Sequence, residues 1–146
     1  MKEPFFAAAI AAEGGVFVVV RSSNPEGQAL QTARLASGET VAQSVCRQIT
    51  ARNRQQRQEG IGPIGAVVGA TCEDADATVT ALPHSFILAP GVGAQGATMQ
   101  DVLARMPTGR GRVLPSVSRA ILANGSRREE IRTTIASLQE QARSLL

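Results

Sequence analysis

The sequence has few of the residues that form metal centres, aromatic binding surfaces or nucleophilic catalytic sets. It contains one histidine, His84, two cysteines, Cys46 and Cys72, one lysine, Lys2, and no tryptophan or tyrosine. The cysteines lack the spacing of a metal site, and a lone histidine supplies no second ligand. We therefore expect no metal and no Ser-His-Asp set, with His84 in a structural role and both thiols buried in a reducing compartment.

Long apolar runs are missing too. No run approaches the ~18 residues of a membrane span, and residues 1–6 are not followed by the apolar region and cleavage site of a signal peptide. The net charge of +3 comes almost entirely from scattered arginines, and four phenylalanines are the only aromatic residues. Because basic residues do not alternate with stacking aromatics, we expect no nucleic-acid binding. Because the sequence shows neither a membrane span nor a signal peptide, we expect no membrane contact and a cytoplasmic location.

What the chain does contain is a globular composition, with 146 residues, 43% hydrophobic and 18% charged, which fits one domain over 1–146. Short β-branched or apolar runs typical of strands covered on both faces alternate with segments of helical periodicity. We expect Thr71 to cap one helix, with Glu73 and Asp74 in its first turn. The predicted strands are 16–20, 64–69, 86–89 and 112–115, and the predicted helices are 4–12, 40–57, 71–82, 98–103, 117–123 and 129–146.

This alternation predicts an α/β fold with a parallel sheet and right-handed crossovers. Four such units form either a small open sheet or half of an eight-fold barrel. A polar, glycine-rich or serine-rich segment follows each predicted strand, as in barrels, whose loops lie on one common face. The turns after the third and fourth strands would be the seventh and eighth loops of a full barrel, where phosphate sites commonly lie. We therefore predict the last four βα units of a (β/α)₈ TIM-type barrel, a single partial domain.

The glycine-rich turn after the third strand also permits another interpretation. Gly91-x-Gly93-x-x-Gly96 satisfies the dinucleotide-binding fingerprint. That fingerprint requires an acidic residue about 20 positions further on, to hold a ribose hydroxyl. After Asp101 the next acid is Glu129, so a nicotinamide-binding domain is only a distant third hypothesis.

Four motifs in order resemble orotidine 5′-phosphate decarboxylase, of the longer bacterial type found in actinobacteria. The resemblance extends from Phe5 to the C-terminus. It implies a barrel that converts orotidine 5′-monophosphate to uridine 5′-monophosphate and carbon dioxide in pyrimidine biosynthesis, without a cofactor. The motifs are 21–27 (Arg-Ser-Ser-Asn-Pro-Glu-Gly), 65–71 (Gly-Ala-Val-Val-Gly-Ala-Thr), 88–96 (Leu-Ala-Pro-Gly-Val-Gly-Ala-Gln-Gly) and 114–121 (Leu-Pro-Ser-Val-Ser-Arg-Ala-Ile).

The resemblance assigns two groups of substrate-binding residues. It implies that Gln95, the main-chain N–H of Ser118 and the Arg119 side chain hold the nucleotide's phosphate. An arginine at a helix start is disfavoured by the helix dipole unless an anion lies there, which favours this role. The second group contacts the base: Ser22 or Ser23 meets the pyrimidine edge, Asn24 shapes the turn and Pro90 packs against the ring. Taken without the resemblance, each of these residues is as well explained by a turn or a strand end.

The chain also departs from the family. The family performs its chemistry with an Asp-x-Lys-x-x-Asp motif and a further lysine, whereas Lys2 is the only lysine here and no such motif occurs. The resemblance therefore implies a C-terminal half that begins inside the fourth helix of the barrel and carries no catalytic residue. We expect it to bind orotidine or uridine 5′-monophosphate or phosphate, and to pair as a homodimer or with the N-terminal half. A non-catalytic phosphate-binding or assembly half-barrel is the alternative.

Overall fold

The fold is built on one parallel sheet. The structure is a computed structural model, and it describes residues 3–57, 59–93, 96–123, 125 and 127–143. The strands pair in chain order, β1-β2-β3-β4, and every pair is parallel. Consecutive βα units of a barrel have this order, whereas a doubly wound sheet reverses direction part-way across. The strands are β1 (Val16–Arg21), β2 (Ile64–Val68), β3 (Ile87–Pro90) and β4 (Val113–Ser116).

Seven α-helices and one short 3₁₀ turn, Pro107–Gly109, surround the strands across the described residues. Thr40 and Thr98 each begin a helix with a reciprocal capping box, to Gln43 and Asp101 respectively. No helix in the described part of the chain is long and apolar enough to cross a membrane. The helices are α1 (Glu3–Ala11), α2 (Pro25–Gln31), α3 (Val41–Gln56), α4 (Ala75–Thr80), α5 (Met99–Arg105), α6 (Arg119–Ala123) and α7 (Arg128–Arg143).

The core lies between the helices and one face of the sheet. Side chains i and i+2 of a strand share a face, so alternate strand residues point to this side of the sheet. These side chains are almost completely buried. Helices α3, α4 and α5 cover them with their own apolar side chains. The core includes Val20, Ala66, Val68, Ile87 and Ala89 from the strands and Ile49, Val79 and Val102 from the helices.

The opposite face of the sheet is apolar and open. Strand pairing aligns Val19 with Val67, Val67 with Leu88, and Leu88 with Leu114, so one apolar row crosses all four strands. Val19 is 60% exposed and Leu114 is 42% exposed. The sequence predicts strands covered on both faces, but the helices of this chain cover only one. In a closed barrel the open row would face the interior.

The structure corrects several predicted boundaries. Helix α2 forms within a segment that the sequence predicts as turn and loop. Helix α4 begins at Ala75, so Thr71 does not cap it, Glu73 lies before it and Asp74 occupies its N-cap position without a side-chain cap bond. The cause is a turn in which the Cys72 N–H donates to the Gly69 carbonyl, which delays the helix.

Strand β4 and helix α6 also differ from their predicted limits. The sequence predicts that Pro115 ends the strand, but β4 continues through it to Ser116. Proline is tolerated there because β4 is an edge strand, where no outer neighbour needs the missing N–H. Helix α6 then starts at Arg119, two residues later than predicted.

Candidate nucleotide-binding edge

Because the strands are parallel, the segments that follow them all lie at the carboxyl ends of the strands, which form one edge of the sheet. Main-chain hydrogen bonds connect the ends of the first three strands. The Gly69 N–H donates to the Arg21 carbonyl (2.8 Å), and the Ala70 N–H donates to the Pro90 carbonyl (2.9 Å). The loop after β1 is thereby held beside the loop after β2, and the loop after β2 beside the end of β3.

The two serines of the loop after β1 have different neighbours. The Ser22 N–H donates to Gln31 Oε1 (2.9 Å), and Gln31 Nε2 donates to Ser22 Oγ (3.0 Å). Ser23 packs instead against the end of β2: a Cβ at Gly69 would lie 3.2 Å from the Ser23 main-chain nitrogen. Ser22 is thus bonded to the end of α2, whereas Ser23 adjoins the neighbouring strand.

Asn24 occupies the N-cap position of α2. Its carbonyl accepts from the Gln28 N–H (3.0 Å), and its side-chain amide donates to Glu26 Oε2 (3.2 Å). Its oxygen also lies close to Gly27, where a Cβ would approach it to 2.8 Å. Asn24 therefore lies at the start of α2, on the exposed rim of the loop.

The loop after β3 depends on backbone conformations that favour glycine. Gly91, Gly93 and Gly96 have φ angles of +121°, +75° and +83°. The Gly93 N–H donates to the Ala97 carbonyl (2.8 Å), which closes the loop. Gln95, which the family resemblance assigns to the phosphate, lies outside the described residues.

The loops after β3 and β4 meet at one close contact. A Cβ at Gly93 would lie only 2.5 Å from the Ala120 Cβ, so the backbone of the glycine loop lies directly against α6. Ser118 and Arg119, just before Ala120, are exposed. Among the described residues, neither the Ser118 N–H nor the Arg119 guanidinium has a hydrogen-bond partner. An exposed cation therefore stands beside a glycine loop at the edge where Pro90 ends β3.

A family model described as the Orotidine 5′-phosphate decarboxylase / HUMPS family matches residues 2–134. The chain belongs to this family. It is 44% identical over 122 residues to orotidine 5′-phosphate decarboxylase of Salinispora tropica, covering 84% of this chain and 43% of that protein. It is 41% identical over 117 residues to the enzyme of Myxococcus xanthus, covering 79% of this chain and 40% of that protein. The chain thus spans less than half the length of these relatives of the orotidine 5′-phosphate decarboxylase family.

Solved structures of the same family agree. A crystal structure assigned to orotidine 5′-phosphate decarboxylase from Streptomyces avermitilis superposes with a TM-score of 0.74 at 34% identity, over 90% of this chain and 45% of that chain. One assigned to the same enzyme from Toxoplasma gondii gives 0.72 at 27% identity, over 97% of this chain and 53% of that chain. Four parallel βα units and these neighbours confirm the half-barrel prediction.

Arg21 is a buried charged residue that the motifs of the sequence did not mark as functional. It is 5% exposed, and its Nε donates to Asp74 Oδ2 (2.9 Å), while Nη1 lies 3.5 Å from Gln31 Oε1. An arginine ending a β-branched strand was the available signal, because such a charge needs a partner when it is buried. The partner follows the next strand, so the sequence alone did not reveal it.

The remaining titratable candidates lie away from the edge. His84 precedes β3, at the other end of the sheet, and its Nδ1 lies 3.1 Å from the Gly60 carbonyl oxygen. Burial raises the pKa of the Cys46 thiol to about 11 and also raises that of Cys72, so both stay protonated near neutral pH. No group of three metal-ligating side chains occurs among the described residues.

Proposed function

We propose that this chain supplies the phosphate- and pyrimidine-binding half of an orotidine 5′-phosphate decarboxylase, as a single partial domain over 1–146. The contact between Gly93 and Ala120 supports this most directly, because it brings the glycine loop beside Arg119. The loop of residues 22–24 lies further along the same edge. A nucleoside monophosphate has its anion and its planar base at opposite ends, and this edge offers a matching pair of loops.

The phosphate end is assigned to Gln95, the Ser118 N–H and Arg119. The planar guanidinium of arginine matches two phosphate oxygens at once, and such charge-assisted hydrogen bonds are stronger than neutral ones. The exposure of Arg119 and the small residue Ala120 behind it leave room for an anion.

The base end is assigned to Ser23, with Pro90 as an apolar wall and Asn24 as the residue that shapes the turn. Ser23 is preferred to Ser22 because it lies beside Gly69 at the end of the neighbouring strand, whereas Gln31 ties Ser22 to the end of α2. The residue after Gly69, Ala70, donates its N–H to the carbonyl of Pro90, the last residue of β3. Ser22 then supports the loop.

The chemical step belongs to a second set of residues. Loss of carbon dioxide leaves a carbanion on the pyrimidine ring, which requires a positioned cation in a closed, dry site and then a proton. Arginines stay protonated and do not deliver that proton, and Lys2 is the only lysine. We therefore assign the catalytic lysines and aspartates to a partner half, which would cover the open row of Val19, Val67, Leu88 and Leu114.

Complementation tests this proposal. The chain is assayed for decarboxylation of orotidine 5′-monophosphate alone and after co-expression with the four N-terminal βα units of a relative that carry Asp-x-Lys-x-x-Asp. We expect no turnover above background for the chain alone, and activity in the combined sample that the Arg119→Ala change lowers at least tenfold. That magnitude follows from a loss of about 1.5–3 kcal/mol for a hydrogen bond to a charged group.

Two outcomes would contradict it. If the chain alone shows turnover and the Arg119→Ala change abolishes it, the chemistry lies in this chain. Turnover that is the same with and without the change would identify a contaminating host enzyme. Phosphate binding without activity in the combined sample would instead favour the second candidate, a non-catalytic phosphate-binding or assembly half-barrel. The single lysine in the sequence is the observation that favours this candidate.

A further inference from the structure

We propose that Gln31 is a positioning residue that holds the loop of residues 22–24 in its ligand-binding shape, with the Arg21–Asp74 pair holding Gln31. This inference rests on the proposed function, because it concerns the loop assigned to the base. It adds a residue in α2 that lies outside the four sequence motifs.

The hydrogen bonds fix the orientation of the Gln31 amide. Its Oε1 faces two groups that can only donate, the Ser22 N–H at 2.9 Å and Arg21 Nη1 at 3.5 Å. Its Nε2 therefore faces the Ser22 hydroxyl oxygen, at 3.0 Å. A single side chain thus bonds both the main chain and the side chain of the residue that precedes Ser23.

Arg21 connects this arrangement to the next loop. Its side chain is 6% exposed, and its Nε donates to Asp74, which follows β2 and is 46% exposed. Burying a guanidinium carries a desolvation penalty that an apolar residue would avoid. Both partners of the buried charge belong to segments that flank the proposed base site. The pair therefore fixes the spacing between the loop after β1 and the loop after β2.

The expected consequence is selective for the base. A loop already held in its binding shape loses less conformational entropy when a ligand arrives. Among the described residues the Gln31 side chain bonds to Arg21 and Ser22 only, and no hydrogen bond joins it to Gly93, Ser118 or Arg119. Loss of Gln31 should therefore weaken contacts to the pyrimidine and spare those to the phosphate.

Two ligands separate these effects: uridine 5′-monophosphate, which has both ends, and ribose 5-phosphate, which lacks the base. Each is titrated by calorimetry into the wild-type chain and three variants, after circular dichroism has confirmed their folding. Gln31→Leu removes the hydrogen bonds to the Ser22 N–H and to the Ser22 hydroxyl, and Gln31→Glu keeps an acceptor for the Ser22 N–H and for Arg21. Gln28→Leu is the matched control, because Gln28 is an exposed glutamine of the same helix.

We expect Gln31→Leu to weaken uridine 5′-monophosphate binding roughly tenfold, from two lost hydrogen bonds, while ribose 5-phosphate binding is unchanged. Gln31→Glu should restore most of the affinity, and Gln28→Leu should match the wild type. Equal weakening of both ligands, or no effect on either, would overturn the positioning role. If the wild-type chain binds both ligands equally, the base site itself is wrong and the positioning role falls with it. That result differs from failure of the inference alone, in which the wild type and Gln31→Leu prefer the nucleotide equally.

Discussion

Asn53 shows how one buried polar side chain organises the end of the sheet opposite the ligand loops. It is fully buried in α3, and its Nδ2 donates to the carbonyls of Ile64 (2.8 Å) and His84 (2.9 Å) and to Ser85 Oγ (3.0 Å). Its Oδ1 accepts from the Ile64 N–H (3.0 Å). Every polar group of the side chain is thus paired, and α3 is joined to the start of β2 and to the turn before β3.

Replacing Asn53 should therefore destabilise the fold strongly. Asn53→Leu retains the approximate volume but removes the partner of the buried Ile64 N–H and that of the buried Ser85 hydroxyl, while the His84 carbonyl still accepts from the Gly62 N–H. Each such group costs about 1–3 kcal/mol, so we expect a loss of roughly 2–4 kcal/mol in the free energy of unfolding. Urea denaturation measures it, with Gln55→Leu, an exposed position of the same helix, as the control. Equal midpoints for the two variants would show that the Asn53 bonds contribute little.

At the scale of elements, the contact between the glycine loop and α6 determines where Arg119 stands. Helix α6 has five residues and no buried side chain, so its own packing holds it weakly. Gly93 lets the loop backbone approach Ala120 closely, and the φ angle of +75° at this position also favours glycine. The loop therefore packs directly against α6 and helps to fix its position.

Gly93→Ala should displace α6, and Gly96→Ala provides a matched control. Both positions have positive φ, so each alanine costs about 1–2 kcal/mol of backbone strain. Among the described residues only the Cβ at position 93 meets another atom, since a Cβ at position 96 would have none of them within 4 Å. We expect both variants to lose stability, but only Gly93→Ala to weaken inorganic phosphate binding through displacement of Arg119. Calorimetry with phosphate distinguishes them, and equal affinities would remove α6 from the proposed site.

At the scale of the whole molecule, the uncovered sheet face is the dominant feature. Its row of apolar side chains runs across four strands, and Phe17 beside it is 46% exposed. Contiguous apolar patches and unpaired strand edges both promote association. The relatives are more than twice as long as the matched region, so in them further chain is available to cover this face.

We therefore expect the isolated chain to associate, with two copies covering each other's open faces in a homodimer. Light scattering with size-exclusion chromatography measures the mass. Val19→Lys, at the β1 end of the open row, should shift the chain toward monomer. Leu30→Lys is the control, since Leu30 is 67% exposed on α2, away from the row. A cooperatively folded wild-type monomer, or equal effects of the two lysines, would contradict association through this face.

The sequence by itself determined the alternation of strands and helices, the half-barrel and the four motifs of the family. These depend on contiguous residues: the β-branched run of β1, the Thr98 cap before α5, and the glycines between 91 and 96. Helix α2 was missed although Asn24, Pro25 and Glu26 are themselves helix-start residues, because the same residue types also make turns.

Only the tertiary structure decided which face of the sheet stays open, which serine is bonded to the end of α2 and which residues the buried Arg21 bonds. Arg21 and Asp74 are 53 positions apart, and local periodicity carries no record of such a pair. Pro115 could continue β4 only because that strand lies at the edge of the sheet, which the strand order sets. Local preferences act between neighbours in the chain, whereas burial, strand order and charge pairing arise between segments that meet only after folding.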